Sequence, residues 1–349
     1  MKNLIVALLL ITFLSCEQSK DDLKRPAGGT ADEIIVVVDS AVWEGEVGIE
    51  LREILAAPMQ VLPQDEALFD IYTVNPLKLN SVLKSAYNMI FITTLDSKTR
   101  QSKELRRMFT DESLKKIEAD TSRFQLLEKN KFATGQHVLH LFGNTSEELA
   151  NHIANNRAGI LSLFEERALE ITQKRILKSR STNIEKIIKD HHGVDIKIPY
   201  GWDLAKDNID FIWVRELGTQ KEKNIFIYKE PYSNTGVFNR IPELRDKITE
   251  LHLRDVQKPE LFITRQDLVP VVSSQVNFQD KFAMRSVGLW AVSDMTAGGP
   301  FLSYTMVDEK SQMLYYIEGY VYHAAGKKKK LMREMDAILS TFKMPSETN

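Results

Sequence analysis

The run Glu33-Ile-Ile-Val-Val-Val38 constrains this chain more than any other stretch. It is apolar without alternation and rich in β-branched residues, so it suits a short strand buried on both faces. A strand of that kind needs helices to cover it. The next residues supply one: Val47, Leu51, Ile54 and Leu55 recur at helical spacing, and Pro58 ends the segment. Met89-Ile-Phe-Ile92 and residues 137–142 repeat the strand signal, with Leu105, Met108, Leu114 and Ile117 at helical spacing between them. Strands separated by helices predict an α/β-type domain with a mixed sheet over residues 33–180.

Thr145-Ser-Glu-Glu148 reads as a capping box that opens a long helix reaching about residue 178, interrupted only at Gly159. A second box, Thr182-Asn-Ile-Glu185, starts a new helix that ends near Gly193. The domain boundary is expected between them, at residues 179–182, with a second domain over 181–345. There the strand signals dominate, at 195–199, 211–215, 224–228, 268–275, 282–292, 301–307 and 313–322. One helix is expected near 242–256, and a last one carries Leu331, Met335, Ile338, Leu339 and Phe342 on one face. The expected class is α+β, an N-terminal α/β-type domain followed by a mainly antiparallel sheet covered by helices.

The single cysteine, Cys16, leaves no internal disulfide to hold this fold, which must rest on its core. Its position points to a different use. After Lys2, residues 4–14 form an apolar run broken only by Thr12, and Ser15 stands directly before Cys16. Eleven helical residues rise about 16 Å against a hydrocarbon core of about 30 Å, so the run is too short to span a bilayer and reads as a secretory signal peptide over residues 1–15. The arrangement resembles a bacterial lipobox, with Phe13 where leucine is preferred, Leu14 bulkier than usual and Ser15 fitting. That resemblance implies lipidation of Cys16 and anchoring to the outer membrane of the cell envelope. Residues 16–32 then read as a flexible tether with a reach of about 20 Å. Within it, Lys20, Asp21 and Asp22 resemble the lysine-acidic-acidic signal that sends Bacteroidota lipoproteins to the outer surface, or form a solvated charge cluster.

Three further segments are familiar together: Asp39-Ser-Ala-Val-Trp-Glu-Gly45, Leu62-Pro-Gln-Asp-Glu-Ala-Leu-Phe-Asp70, and Gly288-Leu-Trp-Ala291 with Gly298-Gly-Pro-Phe301. They resemble a family of Bacteroidota lipoproteins catalogued as a domain of unknown function. The order of elements after Thr182 is also similar to the fold of the photosystem II PsbP proteins, a likeness of fold that implies no function. Asp39-Ser40-Ala41 resembles an O-glycosylation site of envelope proteins in that phylum, or places Ser40 as a helix N-cap.

The chain holds 46 basic and 48 acidic side chains, a balance that argues against nucleic acid as a partner. His137 and His140 fall on opposite faces of a strand and make no metal pair. His191-His192-Gly193 suits a helix C-terminus, and Glu148 with His152 a surface pair. No metal or cofactor is expected, and no nucleophile elbow or phosphate-binding loop occurs. Lys327 to Lys330 open the last helix, either as a solvated terminus or as a site for anionic headgroups or phosphate.

The candidate binding face lies on the late strands. Tyr316, Glu318, Tyr320 and Tyr322 share one side of a strand, and Arg285 and Trp290 are placed to join Glu318 and Tyr320 there. The alternative is that a helix covers this face. The function expected is a lipid-anchored envelope protein that binds or assembles with an envelope protein or glycan. The rivals are an envelope hydrolase with a dispersed active site at the domain interface, and a purely structural role.

Overall fold

The computed structural model describes residues 24–233, 236–324 and 326–345. Cys16, Lys20, Asp21 and Asp22 lie outside the described residues. The chain divides into two compact units, one holding the described residues up to 47 with 72–150, the other holding 48–71 with the described residues from 151 onward.

In the first unit, β1 (Glu33–Val37) is followed by α1 (Ser40–Glu44) and the start of α2 (Glu46–Leu55). After β2 (Asp70–Val74) come β3 (Asn88–Thr94), α3 (Arg100–Arg106), α4 (Asp111–Ala119), β4 (Gln125–Lys129), β5 (His137–Gly143) and the start of α5 (Ser146–Asn155). The strands form one sheet in the order β2-β1-β3-β5-β4. β1 pairs parallel with β3 and β3 parallel with β5, while β4 runs antiparallel to β5. The sheet is therefore mixed, and its unalternating apolar runs are buried as that arrangement requires: every residue of β3 is buried. Val37, Met89, Phe91, Leu105 and Val138 form one cluster of this core.

The second unit holds α6 (Arg157–Ile176), α7 (Thr182–His192), β6 (Asp203–Asp207), β7 (Phe211–Leu217), β8 (Lys221–Pro231), α8 (Ile241–His252) and β9 (Ile263–Arg265). β10 (Val272–Phe278), β11 (Lys281–Val292), β12 (Gly298–Asp308), β13 (Met313–His323) and α9 (Lys329–Leu339) complete it. Its sheet runs β10-β11-β12-β13-β8-β7-β6, with β9 also on β11, and every pairing is antiparallel. Alternation then sorts the side chains onto two faces. Tyr315, Ile317 and Val321 of β13 pack with Leu331, Met335 and Ile338 of α9 on one face. Leu314, Tyr316 and Tyr320 pack with Ile241, Leu244 and Ile248 of α8 on the other. The α+β class is as expected, with a mixed sheet first and an antiparallel, helix-covered sheet second.

Several local expectations change. The long helix is two, α5 and α6, broken at Asn156 rather than at Gly159. By its contacts α6 groups with the second unit. Thr145 caps α5 as a box should, its Oγ1 accepting from the Glu148 amide at 3.1 Å. The second box does not form. Ser181 takes the N-cap position of α7, and Glu185 instead accepts from the Ile198 amide at 2.9 Å. At α1 the cap is Asp39, which accepts from the Ala41 amide, so Ser40 is the first helical residue. Residues 195–199 make isolated bridges, Asp195 to Lys343 and Pro199 to Arg180, in place of a strand. Gly298-Gly-Pro300 begins β12, where a Cβ on Gly299 would run into the Val321 carbonyl.

Candidate functional site

The tyrosine-bearing strand is not an open surface. Trp290, Tyr320 and Glu318 are buried beneath α8, Glu318 completely. Arg245 of α8 reaches down to hold the carboxylate in a bidentate pair, Nε and Nη2 each donating at 2.8 Å, while the Tyr316 hydroxyl donates to Glu318 Oε2 at 2.6 Å. The guanidinium also lies 4.0 Å from the Phe301 ring centroid. Burial works against the Arg245 charge, but Glu318 beside it more than offsets that and holds its pKa above the ordinary value. Trp290 Nε1 donates to the Val321 carbonyl at 3.1 Å and its ring meets Tyr320 edge-on. The helix-covered alternative is the one observed, and the candidate face is corrected to core. Arg285 does not join it. It sits five residues before Trp290 on the same strand, which places it on the opposite face.

On that opposite face Arg285 belongs to a cleft of about 610 Å³, lined wholly by the second unit. Register builds its floor. Ser274 of β10 stands opposite Arg285 of β11, and Arg285 opposite Tyr304 of β12, so three side chains form a row across three strands. The row ends at α9, where Asp336 accepts from the Tyr304 hydroxyl at 2.6 Å and lies 3.7 Å from Arg285 Nη2. Helical spacing builds the walls. Ser162, Glu165, Glu166, Leu169 and Gln173 form one stripe of α6, and Arg333, Asp336 and Ser340 one stripe at α9. Amides lock one end: Gln173 donates to the Ala337 carbonyl, and Gln279 to the carbonyls of Ser340 and Phe342 beyond the helix end.

The electrostatics follow from this enclosure. Burial pushes the Tyr304 hydroxyl well above its ordinary pKa, and Asp336 adds to the shift. For Arg285 burial opposes the charge and Asp336 restores it, leaving the pKa raised. Glu165 is open to solvent by area, yet the cleft walls displace enough water to raise its carboxyl pKa; Arg333 and Arg285 oppose that rise and Asp336 adds to it. Glu165 makes no hydrogen bond or ion pair among the described residues, whereas Glu166 accepts from Ser162 at 2.7 Å. Arg333 donates to the Leu68 carbonyl and lies over the Phe69 ring.

Other candidates resolve into structure. The N-terminus of α9 is already capped: the buried Glu66 carboxylate accepts from the Lys328 amide at 2.6 Å and the Lys329 amide at 3.2 Å, and Lys329 Nζ reaches Asp70. Of the two readings of Lys327 to Lys330, the anion site is therefore filled by the chain's own carboxylate. Gly193 closes α7 in the left-handed conformation, as the histidine-glycine pattern implied. Beside it His191 and His192 both bond the Asp207 carboxylate, at 2.5 and 2.8 Å. His140 is buried against Glu128. Among the described residues no group of three or more side chains is arranged to hold a metal ion, and no helix is long and apolar enough to cross a membrane. Sequence reasoning reached only Arg285 in the cleft. Glu165, Arg333 and Asp336 carry no local signal, because a polar stripe on a helix reads as a solvent face, and Tyr304 reads as an ordinary strand tyrosine.

Residues 27–177 match the family model described as domain of unknown function DUF8532, and residues 181–341 the one described as domain of unknown function DUF4837. The chain carries two domains of unknown function. The cleft takes its α6 wall from the first matched stretch and its strands from the second. No curated protein matches. Among solved structures, the Saccharomyces cerevisiae Ran-binding protein Mog1p is similar over 44% of this chain and 90% of its own, at 8% identity and a TM-score of 0.32. The human StarD13 lipid transfer and protein localization domain is similar over 45% of this chain and 95% of its own, at 10% identity and a TM-score of 0.23. Likenesses this distant carry no argument about what this chain does.

Proposed function

We propose that this is a lipid-anchored cell-envelope protein that acts by binding, with the cleft of the second unit as its binding site. The observation that carries the site is the row Ser274, Arg285 and Tyr304 ending on Asp336, with Glu165 facing it and making no hydrogen bond or ion pair among the described residues. Fixed polar groups beside an unsatisfied one, in a volume of ligand size, are what recognition of an envelope protein or glycan needs. The anchor is supported by Cys16 standing at the end of a signal-like run.

The binding site is tested by placing a photo-crosslinking residue at Ser162 in living cells, with exposed Ile209 as the control position. An adduct at Ser162 and none at Ile209 supports the cleft; adducts at both positions or at neither count against it. Fractionation of Cys16→Ser tests the anchor, which predicts release from the membrane. Protease digestion of intact cells, beside a Lys20/Asp21/Asp22→Ala variant, tests whether the protein faces outward.

A second reading is hydrolysis, favoured by one feature, the raised carboxyl of Glu165 near the second carboxylate Asp336. Against it, both Asp336 oxygens are engaged, one by Tyr304 and the other by Arg285. Turnover of ester or peptidoglycan substrates that Glu165→Gln abolishes would establish hydrolysis, and equal background in both proteins would remove it.

A further inference from the structure

The two edges of the antiparallel sheet are built differently. The β6 edge is five residues long, reads Asp-Leu-Ala-Lys-Asp, and shifts register between Leu204 and Lys206. Short length, charge and a bulge are the devices that stop an edge from pairing with another chain. The β10 edge has none of them. It is seven residues long, reads Val-Ser-Ser-Gln-Val-Asn-Phe without charge or proline, and pairs with β11 through seven successive residues with no break. Most of it is exposed.

This unprotected edge borders the cleft. Ser274, Val276 and Phe278 line it from one face of β10, and Asn277 with Gln279 line it as well, so the cleft reaches around the strand's edge. Across from it stands the α6 stripe with Glu165 and Glu166. The lining holds three carboxylates, Glu165, Glu166 and Asp336, against two guanidiniums, Arg285 and Arg333, so negative charge is in surplus on the α6 side.

We propose that β10 is an open edge that takes an extended peptide segment as an added strand, with a lysine or arginine of that segment set against Glu165 and Glu166. The inference rests on the binding reading of the cleft and names its partner class. Main-chain hydrogen bonds along β10 supply affinity, and the alternating side chains of the added strand meet the cleft on one face. A strand of seven residues spans about 24 Å, so six or seven residues of peptide fill the edge. A second copy of this chain fits poorly as the occupant, because its own β10 carries no cation for Glu165.

The test pans a random dodecapeptide display library on the full-length protein and measures the enriched peptides by anisotropy and hydrogen exchange. The expected peptides carry a basic residue among alternating apolar ones and slow amide exchange within 272–278. Of Ser274→Pro and Gln275→Pro, the one whose amide faces outward keeps its thermal midpoint, proline being tolerated on an open edge, and loses affinity about tenfold. Glu165→Lys, at an exposed position without a hydrogen-bond partner among the described residues, weakens basic peptides about tenfold and gains acidic ones. Peptides that bind and respond to Glu165→Lys without protecting 272–278 would overturn strand addition while leaving the cleft as a binding site. A peptide-free, concentration-dependent dimer that protects the same amides would overturn the peptide in favour of a second copy. No enrichment, together with no adduct at Ser162, would overturn both readings.

Discussion

Replacing Arg245 with methionine removes the cation paired with Glu318 while leaving that carboxyl wholly buried, with the Tyr316 hydroxyl still donating to it. The cost can be bounded. A carboxyl that cannot stay ionised takes a proton. Burial raises the Glu318 pKa even beside Arg245, so the most the variant can lose by this route at pH 7 is the cost of protonating a group of ordinary pKa 4.5, about 3.4 kcal/mol, at 1.36 kcal/mol for each unit between the two. Breaking a buried pair by removing one partner typically costs about 3–5 kcal/mol, which agrees. The sign with pH follows. In the variant the folded-state pKa of Glu318 lies above its unfolded value, so the deficit vanishes below about pH 4.5 and grows as pH rises. At pH 5 it should be only about 0.7 kcal/mol. Urea unfolding, followed by tryptophan fluorescence for wild type and variant at both pH values, reads this directly. With a slope of about 2–3 kcal/mol per molar, the midpoint falls by up to about 1–2 M at pH 7 and by no more than about 0.3 M at pH 5. Equal losses at the two pH values, or a negligible loss at pH 7, would refute the claim that this face is closed core. Replacing both partners, as Arg245→Met with Glu318→Leu, should recover most of the loss, since no unpaired charge remains.

Glu66→Ala uncaps α9 by removing the acceptor for two amides and should cost about 1–2 kcal/mol, read from the urea midpoint. Gly319→Ala puts a Cβ 2.7 Å from that of Met335, and should lower stability by about 1–3 kcal/mol, while Gly159→Ala, with open space around it, should not. Burial lowers the pKa of His140, His192 and His252, so each binds its proton more readily when unfolded. Stability is then fully present above about pH 6.5 and is lost as pH falls below it, a slope that His252→Phe, in a ring stacked on Phe211, should reduce in pH-dependent unfolding.

What the sequence disclosed depended on whether the signal was local. The apolar runs at β1, β3 and β5 announce a strand buried on both faces, and alternation along β13 sorts its tyrosines correctly. The same alternation separates Arg285 from Trp290, five residues apart, so their placement on opposite faces was legible in the spacing. What covers a face was not. Arg245 lies 73 residues from Glu318, and no short-range pattern ties a helix to the strand it protects. The cleft needed register as well. Ser274, Arg285 and Tyr304 form a row only once three strands are aligned, and a shift of one residue would turn each side chain away. Capping shows the same limit on a smaller scale. Thr145 works as its motif implies, but Glu185 abandons its box because Ile198, brought near by the fold, offers an amide in need of an acceptor.

The most direct measurement is retention of envelope components on immobilised protein, comparing wild type with Glu165→Lys and with Tyr320→Phe. The first reverses an exposed charge in the cleft; the second trims a hydroxyl from the closed tyrosine face. Retention lost in Glu165→Lys and kept in Tyr320→Phe is the predicted result. Retention kept in Glu165→Lys and lost in Tyr320→Phe would contradict the account and return the binding site to the face beneath α8.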